Sequence, residues 1–239
     1  MIRNGKPGLC KGLNMNEIHS TAIIEGNVSM GENNKILPYT ILIGPLTIGD
    51  NNIIGPSVVI GSPGQDTRDP RHDCSNRKIV IGSNNIIREF SAIQKPVYED
   101  LTSIGNSVHL MQSVHIPHDA IISDCVVITP MVALAGLARV LDGATLSLGV
   151  TVHQHSVIGH YSIVGMGASV LKNVKPFSRL VPGKPLSVNY YAIEKYGHAD
   201  FADEIAEYIT ENKPPENEKL KKIVQEFELL HIRSGRDLY

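Results

Sequence analysis

The stretch IGNSVHLMQSVHIPHDAIISDCVVITPMVALAGLARVLDGATLSLGVTV, residues 104–152, decides the architecture. From Ile104 an aliphatic residue recurs at every sixth position: Leu110, Ile116, Ile122, Ile128, Leu134, Val140, Leu146, Val152, then Ile158, Val164 and Val170 beyond it. Toward the N-terminus the same phase reappears as Ile81, Ile87 and Ile93. Before a further break it runs as Ile18, Ile24, Met30, Ile36, Leu42, Ile48, Ile54 and Ile60. All 23 positions, in runs of eight, three and twelve, are aliphatic or Met in a chain that is 42% hydrophobic.

A helix needs apolar residues every three to four positions and a half-buried strand needs alternation, so a period of six fits neither as one continuous element. It fits a short strand, a corner and another short strand. Three units then close a triangular coil of 18 residues, and coils stack by parallel pairing at about 4.8 Å. The residue four after the aliphatic one is Val, Ala or Ser throughout the last twelve units, as at Val108, Ala120 and Ser156, where the prism narrows. Gly follows the aliphatic residue in eight units, including Gly31, Gly49, Gly82 and Gly159, and suits a corner. The prediction is an all-β parallel β-helix of seven to eight coils; a β-sandwich does not hold one phase over twelve consecutive units.

Two segments break the phase. Residues 61–79 (GSPGQDTRDPRHDCSNRKI) and 94–103 (QKPVYEDLTS) read as loop insertions in a β-helix domain spanning 18–186, and loops on rigid scaffolds collect functional residues. Residues 1–17 form a polar N-terminal extension, with 1–14 expected to be poorly ordered. Residues 187–239 form an α-helical C-terminal region. Phe201, Ile205, Tyr208 and Ile209 mark one helical face within 188–211, and Leu220, Ile223, Val224, Phe227 and Leu230 mark a second beyond Pro214-Pro215. Such helices would cover the open edges of the last coil.

The chain has 239 residues, 22 basic and 24 acidic, with a net charge of −2, which offers no footprint for nucleic acid or an anionic membrane. No stretch approaches eighteen apolar residues, so no membrane span is expected. Cys10, Cys74 and Cys125 form neither a CxxC pair nor a disulfide framework, which fits a reducing cytoplasm.

Stepping by 18 stacks His118, Gly136 and Gln154 at one corner of successive coils, with Asp119 after His118 and His153 before Gln154. One strand spacing, about 5 Å, separates 118 from 136. A His beside a carboxylate, facing a Gly whose N–H is open to a ligand, suits acyl transfer: imidazole as base, amide as oxyanion donor.

LMQSVHIPHDA (110–120), GQD (64–66), IRE (87–89), ATLSLGVTVHQ (144–154) and VN (188–189) followed by the Glu-Lys-Tyr-Gly run (194–197) resemble, in order, the motifs of UDP-N-acetylglucosamine O-acyltransferases, which open lipid A biosynthesis for lipopolysaccharide. The resemblance covers Ile18 to about residue 210 and implies a left-handed β-helix; the hand does not follow from the period, because parallel crossovers are otherwise right-handed. It implies His118 as general base, Asp119 as its orienting carboxylate and the Gly136 N–H as the group polarising the thioester carbonyl. It implies substrate contacts for Asp66, Arg68, His115, His153, Gln154, Asn189 and Lys195, and control of acyl length by Met166. It further implies a homotrimer with clefts between subunits, a nucleotide-sugar acceptor, and a phosphopantetheine-linked acyl thioester donor carried by acyl carrier protein or CoA. No bound cofactor or metal is implied.

The chain also departs from the pattern. Gly136-Leu137 replaces Gly-His, Gln94-Lys95-Pro96 replaces His-Arg-Gly, and Tyr191 and Tyr196 replace a Glu and an Arg of a longer tail. The proposed base is kept while polar sugar contacts are lost, which implies the same reaction with a changed acceptor, donor or both. An N-acyltransferase acting on an amino-deoxy nucleotide sugar for surface polysaccharide is the alternative within that class. Outside it stand a zinc hydratase of the γ-carbonic anhydrase type, suggested by His155 and His160, and a non-catalytic repeat scaffold.

Overall fold

The computed structural model describes residues 15–68 and 73–239; the expectation for residues 1–14 lies outside the described residues. The six-residue phase becomes a left-handed parallel β-helix. Successive strands join three different sheets in turn. The sheets have ten strands (S1), eight (S2) and seven (S3), and as far as Ser169–Val170 strands three places apart in the chain pair; S1 then ends with Ser178–Leu180 parallel to Ile163–Val164 and Ser187–Val188 antiparallel to Ser178–Leu180. Registers such as Ile23↔Ile41, Val127↔Thr145 and Arg139↔Val157 are 18 residues apart, one full coil.

The phase residues fill the prism. Leu42, Ile54, Ile60, Ile87, Ile93, Leu110, Ile116, Ile128 and Val164 are fully enclosed, each worth roughly 1.5–3 kcal/mol against exposure. Ile18 and Ile24 stay 46% and 40% exposed, because no described residue lies beneath the first coil. At one corner of the early coils the enclosed position four after the aliphatic residue is Asn rather than a small apolar residue. Asn34 Oδ1 accepts from the Asn52 backbone N–H and side-chain amide, and Asn52 Oδ1 accepts from the Asn85 N–H. The Asn85 side chain accepts in turn from the N–H of Val108, where the column turns apolar. The ladder satisfies backbone donors that the narrow corner leaves unpaired.

Both insertions leave the prism at the same corner, between S2 and S3. Across the first, register jumps to Val59↔Ala92 and Leu46↔Ile79; across the second it reads Ala92↔His115 and Ile81↔Ile104. The excursions are shorter than the sequence implies. Strand Val59–Ser62 absorbs residues 61–62 and strand Lys78–Ile81 absorbs 78–79, while Ala92–Gln94 and Leu101–Ile104 take 94 and 101–103. Their ends zip into the sheets, with Gln94 opposite Ser62 and Lys78 opposite Leu101.

The C-terminal region is helical but divided: α1 (Tyr190–Lys195), α2 (Ala202–Glu211) and α3 (Glu218–Ser234). One helix over 188–211 does not form, because Gly197 adopts φ +74 and the chain turns between α1 and α2. Lys175, buried, donates from Nζ to the carbonyls of Tyr208 and Ile209 at the end of α2 and to Asn212, satisfying its unpaired C-terminal groups. The tail covers more than the last coil. Phe227 of α3 packs on Leu141 and Val157, outward-facing residues beside and within S3. The chain end extends the sheet edge through the parallel bridge Asn173↔Leu238. No helix among the described residues is long and apolar enough to cross a membrane.

Candidate functional site

The corner between S2 and S3 gathers the sequence candidates. Below it lie the two insertions, and on it stack His118–Asp119, Gly136–Leu137 and Gln154–His155. Asp119, Leu137 and His155 hold φ of 62°, 63° and 62°, so each coil makes the same left-handed turn, and Leu137 N–H donates to the His118 carbonyl (3.2 Å). Strand His115–Ile116 delivers the chain to His118 with Ile116 pointing inward, so His118 emerges outside the prism, 12% exposed.

The fully buried Asp119 carboxylate lies 2.7 Å from His118 Nδ1. It also accepts the backbone N–H groups of Val97 (3.0 Å), Tyr98 (3.1 Å) and Glu99 (2.8 Å) from the second insertion. Asp119's own N–H donates to Thr102 Oγ1. A carboxylate held by three peptide donors stays fixed and accepts a fourth hydrogen bond from Nδ1–H, which leaves Nε2 as the free acceptor of the imidazole.

Gly136 has no room for a side chain. A Cβ built there would lie 2.3 Å from His118 Cε1 and 2.6 Å from Nε2. The imidazole therefore lies against this glycine's backbone, as the 18-residue spacing predicted. The neighbouring Ala135 and Leu137 N–H groups donate to backbone carbonyls, whereas the Gly136 N–H has no partner among the described residues. Gly64, in the GQD segment, is equally confined: its Cβ would meet Val97 Cγ2 at 2.5 Å and His118 Cβ at 2.7 Å. The first insertion thus closes over the base and the second insertion together.

Asp66 and Arg68 sit on that loop. Arg68 Nε contacts Asp66 Oδ1 at 3.3 Å, and the Tyr98 hydroxyl donates to Asp66 while accepting from Arg68. The Arg68 backbone N–H on its carboxylate, with the guanidinium and nearby His118, holds Asp66 below the usual carboxylate range. Tyr98 also presents its ring edge-on to His118, with centroids 5.8 Å apart. Tyr98, Thr102 and Gly64 were missing from the sequence candidates as site residues; GQD and the second loop carried the signal, but no period runs through an insertion. His115 lies beside His118, and burial, then the neighbouring His118, push its imidazole below the ordinary value.

The other candidates are placed elsewhere. His153 and Gln154 are exposed two coils along the same corner, where Arg236 contacts His153 Nδ1 (2.5 Å) and donates to the Gln154 carbonyl (3.1 Å). The Asn189 side chain caps α1 and donates to the Tyr161 carbonyl at 2.8 Å. Lys195 lies over the Tyr196 and Tyr191 rings, its Nζ 4.9 and 5.9 Å from their centroids. Met166, 69% exposed, follows strand Ile163–Val164 of S1 and so occupies the S1–S2 corner, away from His118 within one chain. No group of three or more His, Cys, Asp or Glu among the described residues is placed to hold a metal ion. His155, the candidate of the hydratase reading, has Arg236 and Arg139 as neighbours, and with burial they hold its pKa down. That surrounding repels cations.

Residues 27–62 match the family described as bacterial transferase hexapeptide (six repeats). The chain is 30% identical over 174 residues to the acyl-[acyl-carrier-protein]--UDP-N-acetylglucosamine O-acyltransferase of Verminephrobacter eiseniae, covering 72% of this chain and 58% of that protein. It is 34% identical over 145 residues to the protein of the same name from Pseudomonas savastanoi pv. phaseolicola, covering 59% and 56%. The chain thus spans little more than half the length of these curated relatives. The crystal structure of Francisella novicida UDP-N-acetylglucosamine acyltransferase superposes with a TM-score of 0.75 at 26% identity, over 94% of this chain and 92% of that one.

Proposed function

We propose that this chain, in which residues 27–62 match the bacterial transferase hexapeptide family and which is similar to UDP-N-acetylglucosamine O-acyltransferases, is an acyltransferase moving an acyl group from a thioester to a nucleotide-activated sugar. The observation that carries this reading is the His118 imidazole, fixed by Asp119 at Nδ1 and lying against Gly136.

His118 Nε2 takes the proton of the acceptor hydroxyl as its oxygen forms a bond to the thioester carbonyl carbon. The carbonyl electron pair moves onto oxygen, and the unpaired Gly136 N–H donates to that oxyanion. When the tetrahedral centre collapses, the carbon–sulfur bond breaks and the leaving thiolate takes the proton back from the imidazolium. Asp119 stabilises the transient imidazolium and remains a carboxylate. The donor is an acyl group on phosphopantetheine, carried by acyl carrier protein or CoA, and the acceptor is a sugar of the UDP-N-acetylglucosamine type. The chain works as a cytoplasmic homotrimer, in which Met166 of a neighbouring copy reaches the cleft and bounds the acyl chain.

A second reading, N-acylation of an amino-deoxy nucleotide sugar, is favoured by the apolar Leu137 directly above Asp119. An amine nucleophile needs less help from a base. The test is nucleotide-sugar-dependent thiol release from acyl-CoA and acyl carrier protein, with wild type and His118→Ala. O-acyl transfer predicts release with UDP-N-acetylglucosamine and a loss of at least about 10²-fold in the variant. A variant retaining near-full activity on an amino sugar selects the second reading. No release with any nucleotide sugar rejects both.

A further inference from the structure

One cluster of charge plays no part in that chemistry. Beside the S2–S3 corner, an open groove of about 280 Å³ lies between the coils and α3, lined by Glu99, Leu137, Arg139, His155 and Arg233. Arg139 stands on strand Arg139–Val140, paired with Ile121 on one side and Val157 on the other. Its guanidinium donates to the Asp119 carbonyl and forms no ion pair within 4 Å with any described carboxylate. Arg233 occupies the last turn of α3, and its guanidinium has neither a hydrogen-bond nor an ion-pair partner among the described residues. Arg236 contacts His153 at the same corner. Glu99 is the lone carboxylate of the groove.

Two guanidinium groups facing one concavity repel one another, and each has five N–H donors, most of them unused here. Planar donor forks in this arrangement match phosphate oxygens. The groove also adjoins the reacting centre. The Glu99 N–H donates to Asp119 Oδ1 at 2.8 Å, and Leu137 follows Gly136 and donates to the His118 carbonyl.

We propose that Arg139 and Arg233, with His155 between the coils and α3, form a phosphate-ester subsite that anchors one of the two substrates next to His118. This rests on the acyl-transfer reading and adds to it where a substrate's phosphate is held. Two sources share the chemistry: the diphosphate of the nucleotide sugar, and the phosphates of the pantetheine-bearing donor. Glu99 is a negative wall of the subsite and weakens it.

The test is calorimetric titration of UDP, coenzyme A and inorganic phosphate into the full-length protein, wild type and the variants Arg233→Gln, Arg139→Gln and Glu99→Gln. Arg233 is on the helix surface, so its variant keeps the fold should Arg139→Gln disturb the sheet; matched thermal melts verify this. Arg233→Gln is expected to weaken either UDP or coenzyme A at least about tenfold, with a shallower salt dependence, and Glu99→Gln to tighten the same ligand. Loss confined to UDP assigns the subsite to the acceptor, and loss confined to coenzyme A assigns it to the donor. Unchanged affinity for all three ligands in folded Arg233→Gln, or weaker binding in Glu99→Gln, overturns the proposal. Thiol release by wild type, abolished in His118→Ala, would show that the acyl-transfer reading stands even then.

Discussion

Replacing Gly136 by Ala tests the geometry on which the chemistry depends, and the structure sets the size of the effect. A methyl at 136 would stand 2.3 Å from His118 Cε1 and 2.6 Å from Nε2, against the ~3.5–4.0 Å of ordinary carbon contacts. The imidazole must therefore retreat by more than about 1 Å. It cannot do so freely: Gly64 abuts His118 Cβ, Tyr98 lies edge-on to the ring, and Nδ1 is held 2.7 Å from a buried carboxylate. Gly136 does not have a positive φ, so alanine adds no backbone strain and the clash alone is measured. Overpacking of this kind costs about 1–3 kcal/mol, and misplacing a reacting group by about 1 Å costs on the order of 10² in rate. The decisive assay is a double-mutant cycle with His118→Ala, read by urea unfolding. Once the imidazole is gone, the methyl fits, so Gly136→Ala should cost less than about 0.5 kcal/mol in that background. Equal costs in the two backgrounds would show that the imidazole does not lie against this glycine. A Gly136→Ala enzyme with wild-type kcat/KM would be as damaging.

Two further perturbations bear on the same corner and on the chain as a whole. Asp119→Asn replaces one acceptor oxygen by a donor that must face either His118 Nδ1–H or the peptide N–H groups of 97–99. We expect about 1–3 kcal/mol of destabilisation, a rate loss of at least about 10²-fold, and faster hydrogen exchange at the Val97, Tyr98 and Glu99 amides; unchanged exchange there would contradict the carboxylate's role in pinning the loop. Burial, with neighbouring cations at some sites, holds the imidazoles of His109, His115, His155, His160 and His198 below the ordinary value. The unfolded chain then binds protons near pH ~6.5 that the native state refuses. Stability is thus complete above that pH and falls as pH drops below it, with enclosed His160 among the contributors. Burial raises Asp142, which works in the opposite direction at lower pH. A urea midpoint at pH 5.5 equal to or above that at pH 7.5 would refute the assignment.

What could be read from the sequence divides along a physical line. A period of six fixes three short strands per turn, and 18-residue steps then follow from chain geometry, so His118 and Gly136 could be placed together before any coordinates. Nothing periodic runs through residues 63–77 or 95–100, and the partners that hold the base still come from there: three N–H groups on Asp119, the Tyr98 ring, and Gly64 closing above. The Asn column was hidden for a related reason. Asn34, Asn52 and Asn85 hold the position that is small and apolar in later coils, and only the stacked structure shows each amide serving the coil above. The tail shows the limit from the other side. Helical spacing predicted its segments, but spacing on a helix does not say which surface it meets, and α3 lies along S3 rather than only across the open end. That placement brings Arg233 toward Arg139, 94 residues earlier in the chain, so the groove beside the reacting centre is a product of tertiary packing that no repeat encodes. Binding energy from such a remote group orients a substrate at the reacting carbonyl without touching it. If the proposed subsite holds, acceptor discrimination is expected to respond to substitutions in the two insertions and α3, and nucleotide-sugar titrations of Arg233→Gln check this.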